Sequence, residues 1–206
     1  MITKEKLIEL NLLYKEAKPS DIIKKAFEFS HEAVVTTNFR PYEVAILHAV
    51  NSVKSNVDVV WCDTGYNTPQ TYSHANEVIE KLQLIVSLYV PQQTAAYRDV
   101  LMGIPNVDNP KHALFTEQVK LEPFRRAMEI HKPKVWFTNL RKGQTAFRDS
   151  IGIFSISKDG VLKVSPFYYW SDTDLDAYLE EYNLPNEFKY FDPTKALENR
   201  ECGLHS

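Results

Sequence analysis

The sequence predicts an α/β domain built on a twisted, mainly parallel sheet with helices on both faces. Three observations carry that expectation. Short apolar β-rich runs recur along the chain, amphipathic helical stretches fall between them, and the links are short. The first run, Ala33-Val34-Val35-Thr36-Thr37, shows no polar alternation, as expected of a strand buried on both sides. Such strand–helix alternation favours right-handed βαβ units.

Two helices open the chain. Over 3–17, Leu7, Leu10 and Tyr14 recur at helical spacing; over 19–31, Ser20 suits the N-cap, and Ile22, Ile23, Ala26 and Phe27 form one apolar face. After the strand 33–37, Pro41 suits the first turn of a helix carrying Val44, Leu47, His48 and Val50 to about residue 54. A second strand, 57–62, ends in Asp63-Thr64-Gly65-Tyr66, and a helix over 69–83 leads to a third strand, 84–90, stopped by Pro91. The stretch 98–115, with Gly103, Pro105, Asn109 and Pro110, reads as an irregular surface excursion. A helix around 120–131 and a strand over 134–138 follow, then a loop rich in positive charge. Residues 151–157 and 161–165 read as a β-hairpin, because Asp159-Gly160 supports a type I′ turn. The helix over 171–182 has acidic residues in its first turn, where the dipole favours them. Beyond 183, prolines and scattered charges predict an extended tail. The expected organisation is one domain over 1–190, with 1–31 as its N-terminal helical segment, and a mobile catalytic tail over 191–206.

With 206 residues, 44% of them hydrophobic, the chain is long enough for one domain with a real core. Its 24 Lys+Arg against 27 Asp+Glu give a formal net charge of −3. That argues against a nucleic-acid partner while leaving room for a local basic pocket holding a small anion. The mean hydropathy of −0.34, and the lack of a long apolar run, exclude a transmembrane helix and predict no membrane partner. The start, Met1-Ile2-Thr3-Lys4-Glu5-Lys6, is charged rather than signal-like, so the expected location is cytoplasmic. Two cysteines, Cys62 and Cys202, cannot make a disulfide scaffold or a four-cysteine site, and the six histidines show no ligand spacing.

In doubly wound sheets, ligands bind beyond the carboxyl ends of the strands. Thr36-Thr37-Asn38, Asp63-Thr64-Gly65-Tyr66 and Asn139-Leu140-Arg141 would gather there. Hydroxyls and amides at a helix start suit phosphate or sulfate, Asp63 could accept from a ribose hydroxyl or an amine, and Arg141 and Arg148 offer forks for oxyanions. The plainer reading stays open: the threonines cap the helix and Asp63 fixes a turn. Cys202 lies in a polar tail where a structural cysteine has little to pack against, and Arg200 and His205 nearby would favour its thiolate, though the residues alone equally allow an incidental terminal thiol. Cys62, after Val59-Val60-Trp61, reads as a buried strand residue.

Several segments, in order over roughly 30–206, resemble the phosphoadenylyl-sulfate (PAPS) reductase family. They are Thr36-Thr37-Asn38-Phe39 with Leu47-His48, and Cys62-Asp63-Thr64-Gly65-Tyr66 leading to Pro69-Gln70-Thr71-Tyr72. Lys120-Leu121-Glu122-Pro123, Trp136-Phe137-Thr138-Asn139-Leu140-Arg141 with Gln144 and Arg148, and Glu201-Cys202-Gly203-Leu204-His205 complete the set. The resemblance implies an adenine nucleotide α-hydrolase-like (PP-loop) sheet with a modified phosphate loop over 36–43. It implies a nucleotide lying across that loop and Asp63, Thr64 and Gly65, with Lys120, Arg141 and Arg148 on the phosphosulfate and Lys142 and Gln144 beside them. The cysteine matching Cys202, with His205 beside it, would attack the sulfonate sulfur. That step releases adenosine 3′,5′-bisphosphate and leaves an S-sulfocysteine, from which a thioredoxin or glutaredoxin thiol displaces sulfite.

Iron–sulfur relatives carry a Cys-Cys pair before the Lys-x-Glu-Pro element, where this chain has Phe115-Thr116, so the resemblance is to the cluster-free class with no bound cofactor. Arg40 stands where the family usually has glycine; it could crowd the loop or contact a 3′-phosphate. The segment before the tail is short, leaving Lys195 and Arg200 as the basic residues available there. The family also implies a homodimer. Two other readings remain: another nucleotide enzyme on this scaffold, such as a flavin-nucleotide adenylyltransferase or a sulfur-transfer ATP pyrophosphatase, and a nucleotide-binding module without activity.

Overall fold

A computed structural model describes residues 2–195. Its strands are β1 (Ala33–Thr37), β2 (Asp58–Cys62), β3 (Val86–Tyr89), β4 (Val135–Phe137), β5 (Phe154–Ile156) and β6 (Leu162–Val164). The helices are α1 (Lys4–Leu13), α2 (Pro19–Phe29), α3 (Glu43–Val53), α4 (Pro69–Leu82), α5 (Ala95–Leu101), α6 (His112–Thr116), α7 (Glu122–His131), α8 (Ala146–Asp149) and α9 (Asp172–Glu181). The strands form one sheet in the order β3-β2-β1-β4-β6-β5. Only β5, at one edge, runs antiparallel, paired with β6. The strand order reverses direction from β1, so the crevice beyond the ends of β1 and its neighbour β4 is the topological switch point where such sheets bind ligands.

Alternate residues of each inner strand serve opposite faces. Val35, Val59 and Phe137 pack in the larger core with Ile22, Ile23, Ile46, Leu47 and Leu175 from α2, α3 and α9. Val34, Val60 and Trp136 point the other way, toward Ala127, Phe124 and Met128 on α7. Cover on both faces explains why the β1 sequence lacks alternation. No helix among the described residues is long and apolar enough to cross a membrane.

Several local expectations are corrected. Lys18, not Ser20, is the N-cap of α2, because Pro19 takes the first helical position where its missing N–H costs nothing. Pro41 lies outside α3, which begins at Glu43 after Tyr42 in the left-handed region at φ 68°. The hairpin is present, but its turn is not type I′. Of Lys158, Asp159 and Gly160 only Gly160 has positive φ, at 80°, and its amide donates to the Ser157 carbonyl at 3.0 Å. This is a three-residue loop closed by a left-handed glycine.

The excursion over 98–115 is not wholly irregular. It contains most of α5 and α6, and α6 runs through a π-helical turn, Glu117–Leu121, into α7. The tail segment also differs in part from expectation: Asp192 and Thr194 are 8% and 2% exposed, so packing continues past residue 190. Residues 196–206, with Arg200, Cys202 and His205, lie outside the described residues.

Candidate functional site

The loop after β1 is held by a residue that the sequence reading passed over. Glu43, buried at the start of α3, accepts from Thr37 Oγ1 at 2.7 Å and from the Asn38 amide at 2.8 Å. Its other oxygen accepts from Arg40 Nε at 2.9 Å. Thr37 Oγ1 also receives the Phe39 amide at 2.9 Å, which helps hold Phe39 at φ 53°. The expected phosphate donors of this loop are thus already paired with an internal carboxylate, which suits the positive end of α3. Thr36 points to the other face and accepts from Trp136 Nε1 at 2.8 Å.

After β2, Asp63 Oδ1 accepts from the Gly65 amide at 2.9 Å and from Asn67 Nδ2 at 2.8 Å. Tyr72 Oη lies 3.0 Å from both carboxylate oxygens. Burial, and then the negative charge of Asp63, push the Tyr72 hydroxyl up to about 12. Thr64 Oγ1 accepts the Tyr66 amide at 3.2 Å, and Gly65 takes φ 81°. Asp63 thus fixes the turn, with Thr64 supporting it, whereas the threonines expected to cap the next helix do not: Tyr42 is the N-cap of α3, and Thr36 and Thr37 bond Trp136 and Glu43.

The basic residues come from three distant places. Lys120 is carried inward on the π-helical turn and is buried; its Nζ lies 2.5 Å from Asp192 Oδ2 and 3.4 Å from Thr194 Oγ1. Arg148 is buried on α8, whose end is fixed by a 2.6 Å bond from Tyr168 Oη to the Arg148 carbonyl. Gln144 Oε1 accepts from Arg148 Nη1 and from the Arg141 amide. Lys195 is half-buried. Burial lowers its pKa, and the neighbouring cations Arg40, Lys120 and Arg148 lower it further, against an opposing pull from Asp192.

These groups meet around one cavity of about 90 Å3, lined by Thr36, Thr37, Asn38, Arg40, Lys120, Arg148 and Lys195, with Glu43, Cys62, Tyr190 and Asp192 among the other walls. Among the described residues the lining thus carries four cations and two carboxylates, a positive balance in a chain that is negative overall. Arg141 and Lys142 are not brought into it. Arg141 pairs with Asp172 at 2.6 Å and lies over the Tyr42 ring, and Lys142 lies over Tyr169. Asp63, Thr64 and Gly65 stand at the end of the neighbouring strand, outside the lining.

Cys62 does reach the cavity wall, but burial pushes its thiol up to about 12 despite Lys120 and Arg126 nearby. It is a poor nucleophile there. Among the described residues no cluster of His, Cys, Asp or Glu side chains could hold a metal ion.

Three residues of the site were missed besides Glu43: Tyr190, Asp192 and Thr194. Asn38 Nδ2 donates to Tyr190 Oη at 2.6 Å. Asp192 Oδ1 accepts both the Thr194 amide at 3.0 Å and Thr194 Oγ1 at 2.7 Å, the Asx turn that Asp-Pro-Thr invites. That pattern was the one sequence signal available for them.

The family model described as Phosphoadenosine phosphosulfate reductase domain matches residues 32–191. A phosphoadenosine 5′-phosphosulfate reductase of Aliivibrio salmonicida (strain LFI1238) is 30% identical over 226 residues, covering 97% of this chain and 88% of the relative. Among solved structures, the phosphate complex of PAPS reductase from Candida auris superposes with a TM-score of 0.78 at 22% identity, covering 90% of each chain. Candida glabrata FMN adenylyltransferase superposes with a TM-score of 0.61 at 12% identity, over 87% of this chain and 59% of that one. The PP-loop sheet expected from the motifs is therefore the fold observed.

Proposed function

The chain belongs to the phosphoadenosine phosphosulfate reductase family of enzymes, and from that premise we propose that it reduces 3′-phosphoadenylyl sulfate to sulfite and adenosine 3′,5′-bisphosphate. The observation that carries this reading is the cationic cavity at the carboxyl end of the sheet, whose wall reaches Lys195, seven positions before Cys202. Arg40, Lys120, Arg148 and Lys195 offset the negative charge of a sulfuryl donor, which otherwise repels an approaching thiolate. Arg200 extends this basic set, and Asp63, Thr64 and Gly65 present the turn on which the nucleoside rests. Gln144, which accepts from Arg148 Nη1 and from the Arg141 amide, positions Arg148, with the Arg141 and Lys142 side chains outside the cavity wall.

The Cys202 thiolate forms a bond to the sulfonate sulfur as the sulfur–oxygen bond to the phosphate breaks, and the electron pair leaves with the nucleotide. His205 and Arg200 favour that thiolate. A thiol of reduced thioredoxin or glutaredoxin then attacks Cys202 Sγ. Sulfite departs with the sulfur–sulfur electron pair, and the mixed disulfide is resolved by the reductant's second thiol. No bound cofactor takes part. A reducing, cytoplasmic setting and a homodimer complete the reading.

The test is sulfite release from PAPS with reduced thioredoxin, comparing wild type and Cys202→Ser. Intact mass after PAPS alone supplies the second readout: one added sulfonate mapped to the tail is expected. Turnover by the serine variant, or pyrophosphate formed from ATP with no response to PAPS, overturns the proposal.

A further inference from the structure

The cavity is too small for the ligand its walls suit. Pockets that enclose a ligand of nucleotide size run to roughly 300–1,000 Å3, against about 90 Å3 here. Part of its wall is the segment that follows α9. Tyr190, Asp192 and Lys195 form one wall, and the segment over 186–195 has neither helix nor strand.

A few polar contacts tie that segment across the strand ends. The Tyr42 amide donates to Asn186 Oδ1 at 2.9 Å, Thr68 Oγ1 to the Lys189 carbonyl at 2.6 Å, and Asn38 Nδ2 to Tyr190 Oη at 2.6 Å. Two of its large apolar side chains, Phe188 and Phe191, are 65% and 44% exposed. Among the described residues the segment is fastened by side-chain hydrogen bonds, by Phe188 against the Tyr42 ring and by the Lys120–Asp192 ion pair, and only Asp192, Pro193 and Thr194 of it are buried. Local structure of that kind opens at low cost.

The ion pair is the telling contact. Asp192 Oδ2 sits 2.5 Å from Lys120 Nζ, with the two side chains 4% and 9% exposed. A carboxylate there meets the cation as an oxygen of a phosphate or sulfate would. Burial alone would raise the Asp192 carboxyl, but the Lys120 charge, with hydrogen bonds from Lys120 and Thr194, outweighs it and leaves the group below its ordinary value. The carboxylate is therefore held charged inside the cavity. Among the described residues the lining has four cations to two carboxylates with Asp192 in place, and four to one without it.

We propose that Asp192 is a built-in competitor for the anion site: the segment over 186–195 is a strap that closes the site by pairing Asp192 with Lys120, and a substrate anion opens it by taking Lys120. This rests on the functional reading above for the identity of the anion, but the competition itself needs only an oxyanion. It also couples the site to the chain that follows, since Asp192 precedes Cys202 by ten positions. An occupied site releases the strap leading to the thiol, whereas an empty one retains it.

The experiment titrates inorganic sulfate and adenosine 3′,5′-bisphosphate, separately, into full-length wild type and Asp192→Asn by calorimetry. Removing a competitor raises apparent affinity by the factor the closed state had imposed, so the variant should bind about tenfold tighter. Amide exchange at Thr194, whose N–H donates to Asp192, is read in the wild type and needs no variant; saturation with ligand should accelerate it. Equal or weaker binding by the variant, or unchanged or slower exchange, overturns the strap. Tighter sulfate binding by the variant, with no nucleotide binding by either protein, keeps the strap and removes the nucleotide reading. Equal nucleotide binding by both keeps the reading and removes the strap.

Discussion

Glu43 Oε2 lies 2.8 Å from the Asn38 amide nitrogen, at the mouth of α3. An anion is favoured there by the helix dipole and its unpaired N–H groups, and this chain supplies one from its own first turn. The loop after β1 is therefore held folded by the chain's own carboxylate.

Glu43→Gln keeps the size and one acceptor oxygen, but its amide nitrogen then faces Arg40 Nε, donor against donor. A buried charge-assisted network broken in this way should lose about 2 kcal/mol of stability. Urea unfolding of the two proteins measures it; an unchanged midpoint would contradict the role given to Glu43.

Lys120→Met removes the cation that the strap holds and that the substrate is proposed to take. Sulfite release should fall in kcat/KM by about 100-fold or more, as for loss of a charge-stabilising donor. Steady-state assays with PAPS and reduced thioredoxin provide the comparison.

Asp192 gives a dependence on pH with a definite sign. Its carboxyl in the folded chain lies below the ordinary 3.8, so its contribution is fully present above that value and is lost as pH falls through the folded one. The stability gap between wild type and Asp192→Asn should hold steady from about pH 7 to about pH 5 and narrow below about pH 4. Denaturant unfolding of both proteins across that range decides it, and a gap that widens toward acid would refute the assignment.

Cys62, with its thiol pushed up to about 12, has a thiolate fraction on the order of one in ten thousand at pH 8. Iodoacetamide should add one group to the native protein, on Cys202, and none to Cys202→Ser in the same interval. Intact mass reads both, with the unfolded chain taking two as the control.

Gly65→Ala tests the turn after β2. A Cβ there meets Ala95 Cβ at an ordinary 3.6 Å, so the cost comes from the backbone at φ 81°. About 1–2 kcal/mol is expected, readable as a lower thermal midpoint.

How much of this was legible in the chain depends on whether the signal was local. β1 and β2 are dense runs of apolar residues, and their sequence shows them directly. α5 was hidden because its periodicity is inverted: Tyr97, Val100 and Leu101 are 56%, 83% and 47% exposed, while Arg98 is fully buried. The strand-end loops followed from topology alone. Lys120 and Asp192 are 72 positions apart, and no neighbouring pattern announces that they meet. Arg141 was expected to share an anion with Arg148; its amide does lie beside Arg148 through Gln144, but its guanidinium pairs with the Asp172 carboxylate instead.

The π-helical turn over Glu117–Leu121 accommodates one residue more than an α-helical turn would. Each residue of an α-helix advances by about 100°. Deleting a single position there would turn α6 against α7 by about that angle and remake the turn that carries Lys120. The placement of that cation is thus a matter of count as well as of identity.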